Sequence, residues 1–315
     1  MDKLVERDTA PRNPLVAAPA LAVQFFLIPL VVVAAAVAVY LGFRSLVTDS
    51  RTATDYLTEI RTGGADRRWP AAYELSRLMS DPKGRADGSL APALVSAFEQ
   101  SKDDPRVRRY LALAIGRLGP PLPAEAIAAL SRSLEEPDEG WSKDWLQRLT
   151  GSNDGGAGEA RISTIWALGS SGDPGVVPHL LPLYDSGDPG IRKMTVYALG
   201  ALPGDAQLTI LRKALDDPTV DVRWNAAVAL ARHGSRDGST IIGQMLDRQF
   251  VEHVVKRDVR QDEDEDPIAD VMISGLRVAA ALKDDALRMP VTNLSQQDRS
   301  MKVRQAAMEA LKAIG

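Results

Sequence analysis

Hydrophobic and polar positions divide the chain into three regimes. Residues 1–14 set Lys3, Arg7 and Arg12 among Asp2, Glu6 and Asp8 with no apolar period, which predicts a polar tail. Between Arg12 and Arg44 no residue is charged, and 15–43 is apolar apart from Gln24, Gly42 and two prolines. That run exceeds the roughly 20 residues that cross a hydrocarbon core, so it predicts one transmembrane helix over 15–43 and a juxtamembrane linker over 44–51. A cleaved signal peptide has an apolar stretch of only about 7–15 residues, so an uncleaved anchor is expected, with Pro19 near its start and Pro29 inside. From Thr52 onward the spacing becomes helical and amphipathic. Tyr56, Leu57 and Ile60 share one face, and Gly63 and Gly64 suit a left-handed cap. A second helix carries Trp69, Ala72, Tyr73, Leu75 and Leu78 and stops near Asp81, giving a hairpin that should pack on the next one and bury Trp69.

The hairpin pattern then repeats in the letters themselves. Arg161, Arg192 and Arg223 are spaced 31 and 31 residues apart, and Leu168, Leu199 and Leu230 each follow seven residues later. Arg68 to Leu75 reads against Arg223 to Leu230 at five of eight positions and Arg304 to Leu311 at four of eight, while Asp104-Pro105-Arg106-Val107-Arg108 supplies another copy. A period of this length, built from two helical patterns and a Pro-containing turn, predicts an all-α solenoid of about seven hairpins over 52–315. Insertions near 137–158 and 256–267 break the rhythm.

The motif Asp-Pro-x-Val-Arg followed by Ala-x-x-Ala-Leu-Gly resembles HEAT repeats of the short bacterial kind, related to those of phycobilin lyase subunits and deoxyhypusine hydroxylase. The resemblance covers most of the chain beyond residue 51. It implies a HEAT-like solenoid whose second helices line a binding groove. It also implies that the helix-start arginines Arg68, Arg108, Arg161, Arg192, Arg223 and Arg304 are structural. Each would bond the loop aspartate of a neighbouring repeat, through Asp188, Asp217 and Asp221.

Composition narrows the chemistry. A net charge of −4 is not the strongly basic balance of a nucleic-acid binder, so no nucleic-acid partner is expected. With no cysteine, disulfides, thiolate metal sites and cysteine nucleophiles are excluded. The histidines are His179, His233 and His253, and the iron-binding His-Glu pairs of deoxyhypusine hydroxylase are missing; Glu252-His253 is the reverse order. No catalytic residue, metal site, cofactor or small-molecule substrate is therefore expected.

Several other features have mainly structural readings. Asp81-Pro82, Asp104-Pro105, Asp173-Pro174, Asp188-Pro189, Asp217-Pro218 and Asp266-Pro267 each place an N-cap acceptor before a proline suited to a first helical turn. The first insertion holds Trp141, Trp145 and a glycine-rich stretch, with neither the preceding strand nor the Gly-Lys-Ser/Thr ending of a phosphate loop. In the second, Asp262, Glu263, Asp264, Glu265 and Asp266 repel one another, which predicts an exposed loop and a candidate docking element for a basic partner. Ala34, Ala38 and Gly42 form a small-residue stripe that would admit another membrane helix.

The expected function is a membrane-anchored HEAT-repeat scaffold or accessory subunit. It would bind a protein partner in a membrane complex, contact the bilayer through 15–43, and carry out no catalysis of its own. The alternative is a lyase-like or chaperone-like accessory that holds a client for cofactor attachment. The single apolar run implies a single-pass membrane protein, and the bacterial kind of repeat places it in the bacterial inner membrane. The basic residues flanking 15–43 tie at three on each side, and Arg67 and Arg68 tip the solenoid toward the cytoplasm.

Overall fold

The computed structural model describes residues 28–47, 51–81, 88–136, 156–255 and 266–315, and these divide into two compact units, 1–52 and 53–315. They contain sixteen α-helices and no strand.

The described part of the first unit holds one regular element, α1 (Ile28–Val47). Among the described residues no helix is long and apolar enough to cross a membrane. The transmembrane helix expected over 15–43 is therefore not found there: 15–27 lies outside the described residues, as does the tail 1–14, and α1 covers Ile28–Val47, taking in 44–47 of the expected linker. Pro29 lies in the first described turn of α1. The side chains described on α1, 29–40 and 42, are all exposed, and Ala34, Ala38 and Gly42 are among them.

The second unit stacks seven hairpins among the described residues. Their first helices are α2 (Ala53–Thr62), α4 (Ala91–Gln100), α6 (Ala124–Glu135), α8 (Val177–Leu180), α10 (Leu208–Lys213), α12 (Ser239–Met245) and α15 (Arg288–Gln297). Their second helices are α3 (Ala65–Ser80), α5 (Pro105–Gly116), α7 (Gly156–Gly169), α9 (Pro189–Ala201), α11 (Val220–Arg232), α14 (Pro267–Leu282) and α16 (Met301–Ile314). A short extra helix, α13 (Arg248–Val254), precedes the second insertion. Each second helix packs on the second helix of the next hairpin, forming one continuous layer, with the first helices as the other layer.

Close packing within the second-helix layer follows from the Ala-Leu-Gly ending of the motif. A methyl group placed on Gly116, Gly169 or Gly200 would lie 2.9, 2.7 and 2.9 Å from the Cα of Ala167, Ala198 and Ala229 respectively. Each motif thus supplies a glycine for the next helix and an alanine for the preceding one, which brings the backbones into near contact. Gly200→Ala is expected to destabilise the fold by about 1–3 kcal/mol through overpacking, whereas Gly187→Ala, where a methyl meets nothing within 4 Å, is expected to be silent. Urea denaturation followed by circular dichroism separates the two.

Two hydrophobic clusters meet at α11. Val222, Ala226, Ala229 and Leu230 face the amino-terminal cluster, while Trp224, Ala227 and Ala231 face the carboxy-terminal one. Beyond α11 the close-packing pattern lapses. Ala231 stands where α9 has Gly200, Leu276 stands where α11 has Ala229, and α11 and α14 touch far less than α9 and α11 do.

Other expectations differ in detail. Tyr56, Leu57 and Ile60 are buried, but Trp69 is only half-buried, under the Arg106 guanidinium at 5.9 Å. Gly64 has φ −66° and precedes α3, so the turn after α2 uses no left-handed cap. Asp104, Asp173, Asp188 and Asp266 accept from Val107, Gly175, Gly190 and Ala269 backbone N–H at 3.3, 2.8, 2.7 and 3.1 Å. Asp217 does the same for Thr219 at 2.8 Å, while Asp81 instead ends α3. Residues 137–155 and 256–265, with Trp141, Trp145, Asp262, Glu263, Asp264 and Glu265, lie outside the described residues. Of the candidate docking loop only Asp266 is described, and its carboxylate caps α14; Asp266→Ala is expected to cost about 1 kcal/mol in the same denaturation experiment.

Candidate functional site

The repeat arginines point into the turns of their own hairpins. Arg192 donates to Ser186 O at 3.0 Å and Arg223 to Asp217 O at 2.7 Å, and Arg304 donates to Asp298 O; each acceptor lies six residues upstream, where the first helix has ended. Arg68 and Arg161 likewise reach carbonyls near the ends of first helices, Ile60 O and Leu134 O, both at 3.0 Å. Helix ends expose unpaired carbonyls and a negative dipole end, so a guanidinium there meets both needs.

Some arginines also reach the next hairpin. Arg192 binds Asp217 through Nε at 2.9 Å and through a terminal nitrogen at 3.1 Å, and the Tyr184 hydroxyl donates to the same carboxylate at 3.2 Å. Burial works to raise Asp217, but the bonds from Arg192 and the Thr219 N–H outweigh it and hold the carboxyl below its usual range. Tyr184 is pushed up to about 12 by burial and then by the Asp217 charge. Arg108 pairs with Glu136 at 2.7 Å, and Arg68 donates to Ser101 Oγ at 3.2 Å with Asp104 Oδ2 4.0 Å away. Asp188 and Asp221 take other parts: Asp188 caps its own helix, and Asp221 pairs with Lys193 at 2.9 Å.

A further contact of this type is invisible in the repeat. Asp270 occupies the position of Arg192 in α14, and Arg248 of α13 takes over the arginine's task. It binds Asp298 bidentately at 2.7 and 2.6 Å, and Asp298, like Asp217, also accepts from the N–H two residues on, here Ser300 at 2.8 Å.

The surface of the second-helix layer carries a different set of residues. Five residues after the first five repeat arginines stand Tyr73, Leu113, Trp166, Tyr197 and Val228, all at least partly exposed, with Tyr73 at 43% and Tyr197 at 38%, whereas Glu309 follows Arg304. Arginines lie against the aromatic rings: Arg109 over Tyr110 at 5.4 Å and Arg232 over Tyr197 at 5.5 Å. Tyr73 and Tyr110 meet edge to face at 5.3 Å. The common offset from the arginines was a signal that sequence reading could have used.

Where the layer loosens between α11 and α14 there is a groove of about 600 Å³. Tyr197 and Lys193 of α9, Trp224, Asn225, Val228 and Arg232 of α11, Val254 of α13 and Val255 after it, and Asp270, Val271 and Ser274 of α14 line it. The Trp224 indole N–H is buried there without an acceptor. The groove is mostly apolar with a few charges at its margin, which suits binding, and no nucleophile–base pair stands among its described lining residues.

Among the described residues no three His, Asp or Glu side chains gather to hold a metal ion. His179 faces Glu135 at 3.4 Å on the surface, His233 Nε2 sits 3.4 Å from Gln207 Nε2, and His253 is exposed on α13.

A family model of HEAT repeats matches residues 142–231, a stretch that holds α7 to α11 and runs back into undescribed sequence. No curated protein matches the sequence. Among solved structures, the chain is similar to the complex of CpcE and CpcF of phycocyanin lyase from Nostoc sp. PCC7120. The TM-score is 0.53 at 16% identity, over 85% of this chain and 97% of that one. An archaeal HEAT-like repeats protein from Thermococcus onnurineus NA1 matches at TM-score 0.41 and 13% identity, over 85% and 98% of the two chains. Human deoxyhypusine hydroxylase matches at 0.33 and 16%, over 83% and 95%. The 53–315 unit is an all-helical HEAT-like solenoid.

Proposed function

We propose that the chain is a protein-binding scaffold or accessory subunit, working without catalysis of its own and held at a membrane by its apolar amino-terminal segment. The observation that carries the binding role is the second-helix surface: exposed tyrosines under arginines, continuous with a 600 Å³ apolar groove. Exposed aromatic and arginine side chains of this kind are the residues that interface centres favour.

The tether rests on the uncharged run between Arg12 and Arg44 and on α1, whose Leu30, Val31, Val32, Val33, Val37 and Val39 are exposed around the helix. Apolar side chains left exposed along this stretch call for an apolar environment. The site of action that follows is a bacterial inner membrane, with the solenoid on the cytoplasmic side.

Cross-linking in intact cells, followed by gentle detergent extraction and purification, tests the reading. One stoichiometric protein partner should co-purify, and the protein should stay with membranes through alkaline carbonate washing. Recovery of a lone monomer would overturn the scaffold role, and release by carbonate would overturn the tether. A second reading, an accessory that holds a client for cofactor attachment, draws on the fold shared with the phycocyanin lyase complex. Visible absorbance that follows the purified complex would favour it.

A further inference from the structure

The charges of the solenoid are segregated. The seven second helices carry fifteen Lys and Arg against six Asp and Glu, a net of +9 in a chain of net −4. Arg108 and Arg192 are matched by Glu136 and Asp217 in turns just outside these helices, but a guanidinium bonded only to carbonyls keeps its charge, so the layer still presents a positive field. At the groove this field has two cations to spare. Arg232 rests on Tyr197, and Arg277 lies on α14 one turn beyond the groove residue Ser274; both are exposed and neither pairs with a carboxylate among the described residues. Lys193, by contrast, is neutralised by Asp221. Between these cations and the Asp221–Asp270 margin lies the apolar floor of Trp224, Val228 and Val271.

The geometry points to an acidic protein segment with an apolar anchor as the occupant of this groove. This deepens the scaffold reading and rests on it. The anchor side chain fills the floor between α11 and α14, and flanking carboxylates meet Arg232 and Arg277. Two features favour peptide over nucleic acid. Val228 and Val271 give the floor an apolar surface that a side-chain anchor fills, and Asp270 at the margin would repel a continuous phosphate backbone. The groove lies where Ala231 and Leu276 replace the small pair that clamps the preceding helices together.

The test uses the full-length protein in detergent and a fluorescein-labelled peptide of leucines set among glutamates. Its controls have alanine for leucine or lysine for glutamate, and a labelled oligothymidylate is the nucleic-acid probe. Saturable binding of the leucine–glutamate peptide is expected, weakened about tenfold or more by Arg232→Glu and by Tyr197→Ala and strongly by salt. Arg277→Glu, on an exposed helix face, provides a second variant, and unchanged melting certifies that each variant folds. Equal binding of the alanine control, unaltered binding by the folded variants, or binding of the oligothymidylate alone would overturn the assignment. Cross-linking keeps the two readings apart. If the native partner is lost with Arg232→Glu, groove and scaffold stand together; if it is retained, the groove assignment falls and the scaffold role survives. With no partner even for the unaltered chain, the scaffold role itself falls.

Discussion

Asp217→Ala is expected to destabilise the solenoid by about 3–5 kcal/mol, the cost of breaking a buried ion pair from one side. The carboxylate is nearly inaccessible, at 2% exposure, and Arg192 spends two of its donors on it. Removing it leaves the guanidinium with Ser186 O, Gly187 O and Thr219 Oγ1, which satisfy hydrogen bonds without cancelling the charge. It also strands the Tyr184 hydroxyl and undoes the turn before α11. Since α9, α11 and the segment that carries Tyr184 all meet at this carboxylate, the damage spreads across two hairpins. Urea denaturation measures the loss; a change below about 1 kcal/mol would show that the contact is ornamental.

The same site sets two limits on pH. Asp217 has a folded pKa below its unfolded value, so its contribution is complete above the ordinary carboxylate range and is lost as pH falls through the lowered value. Tyr184 has its pKa raised to about 12, so its contribution is complete below about 10 and is lost as pH rises toward 12. Denaturation midpoints measured across pH should fall at both ends, and Asp217→Ala should flatten the acid fall and only lessen the alkaline one, since burial of Tyr184 is its larger cause.

Arg248→Met is the second change expected to cost about 3–5 kcal/mol, because it leaves the Asp298 carboxylate buried at 1% exposure with its charge unmatched. Arg248 joins α13 to the turn between α15 and α16, and its guanidinium also lies 3.5 Å from Glu252. If the cost comes from the stranded charge, Arg248→Met combined with Asp298→Leu should recover much of it, since two apolar side chains replace the pair. Additive losses in the double variant would instead mean that the turn around Asp298 depends on its carboxylate as a cap for Ser300.

The repeat arginines show how far a sequence pattern carries. Their common period marked them as parts of the fold, yet the acceptor of each was set by local geometry: loop carbonyls for Arg223 and Arg304, a glutamate for Arg108, an aspartate for Arg192. A period says which residues do equivalent work, but the bond partner depends on where each turn places its oxygens. The apolar run 15–43 marks the opposite case. Hydropathy alone set its bounds, and the described helix in it, α1, runs on past Phe43 to Val47.

By itself, the sequence determined the helical period, the stacking of two-helix units over 53–315 and the aspartate caps before α5, α9 and α14. These arise from interactions within a few residues or from a pattern repeated at a fixed interval, so letters suffice to reveal them. Tertiary structure alone decided that Arg248 should stand in for the arginine missing from α14, and that the helix layer should open at Ala231 and Leu276. It also decided that Tyr197 and Arg232 should face one groove with Val271. Those outcomes bring together residues from separate hairpins, and the distance between helix axes that governs them depends on both side chains at each crossing, which no single repeat contains.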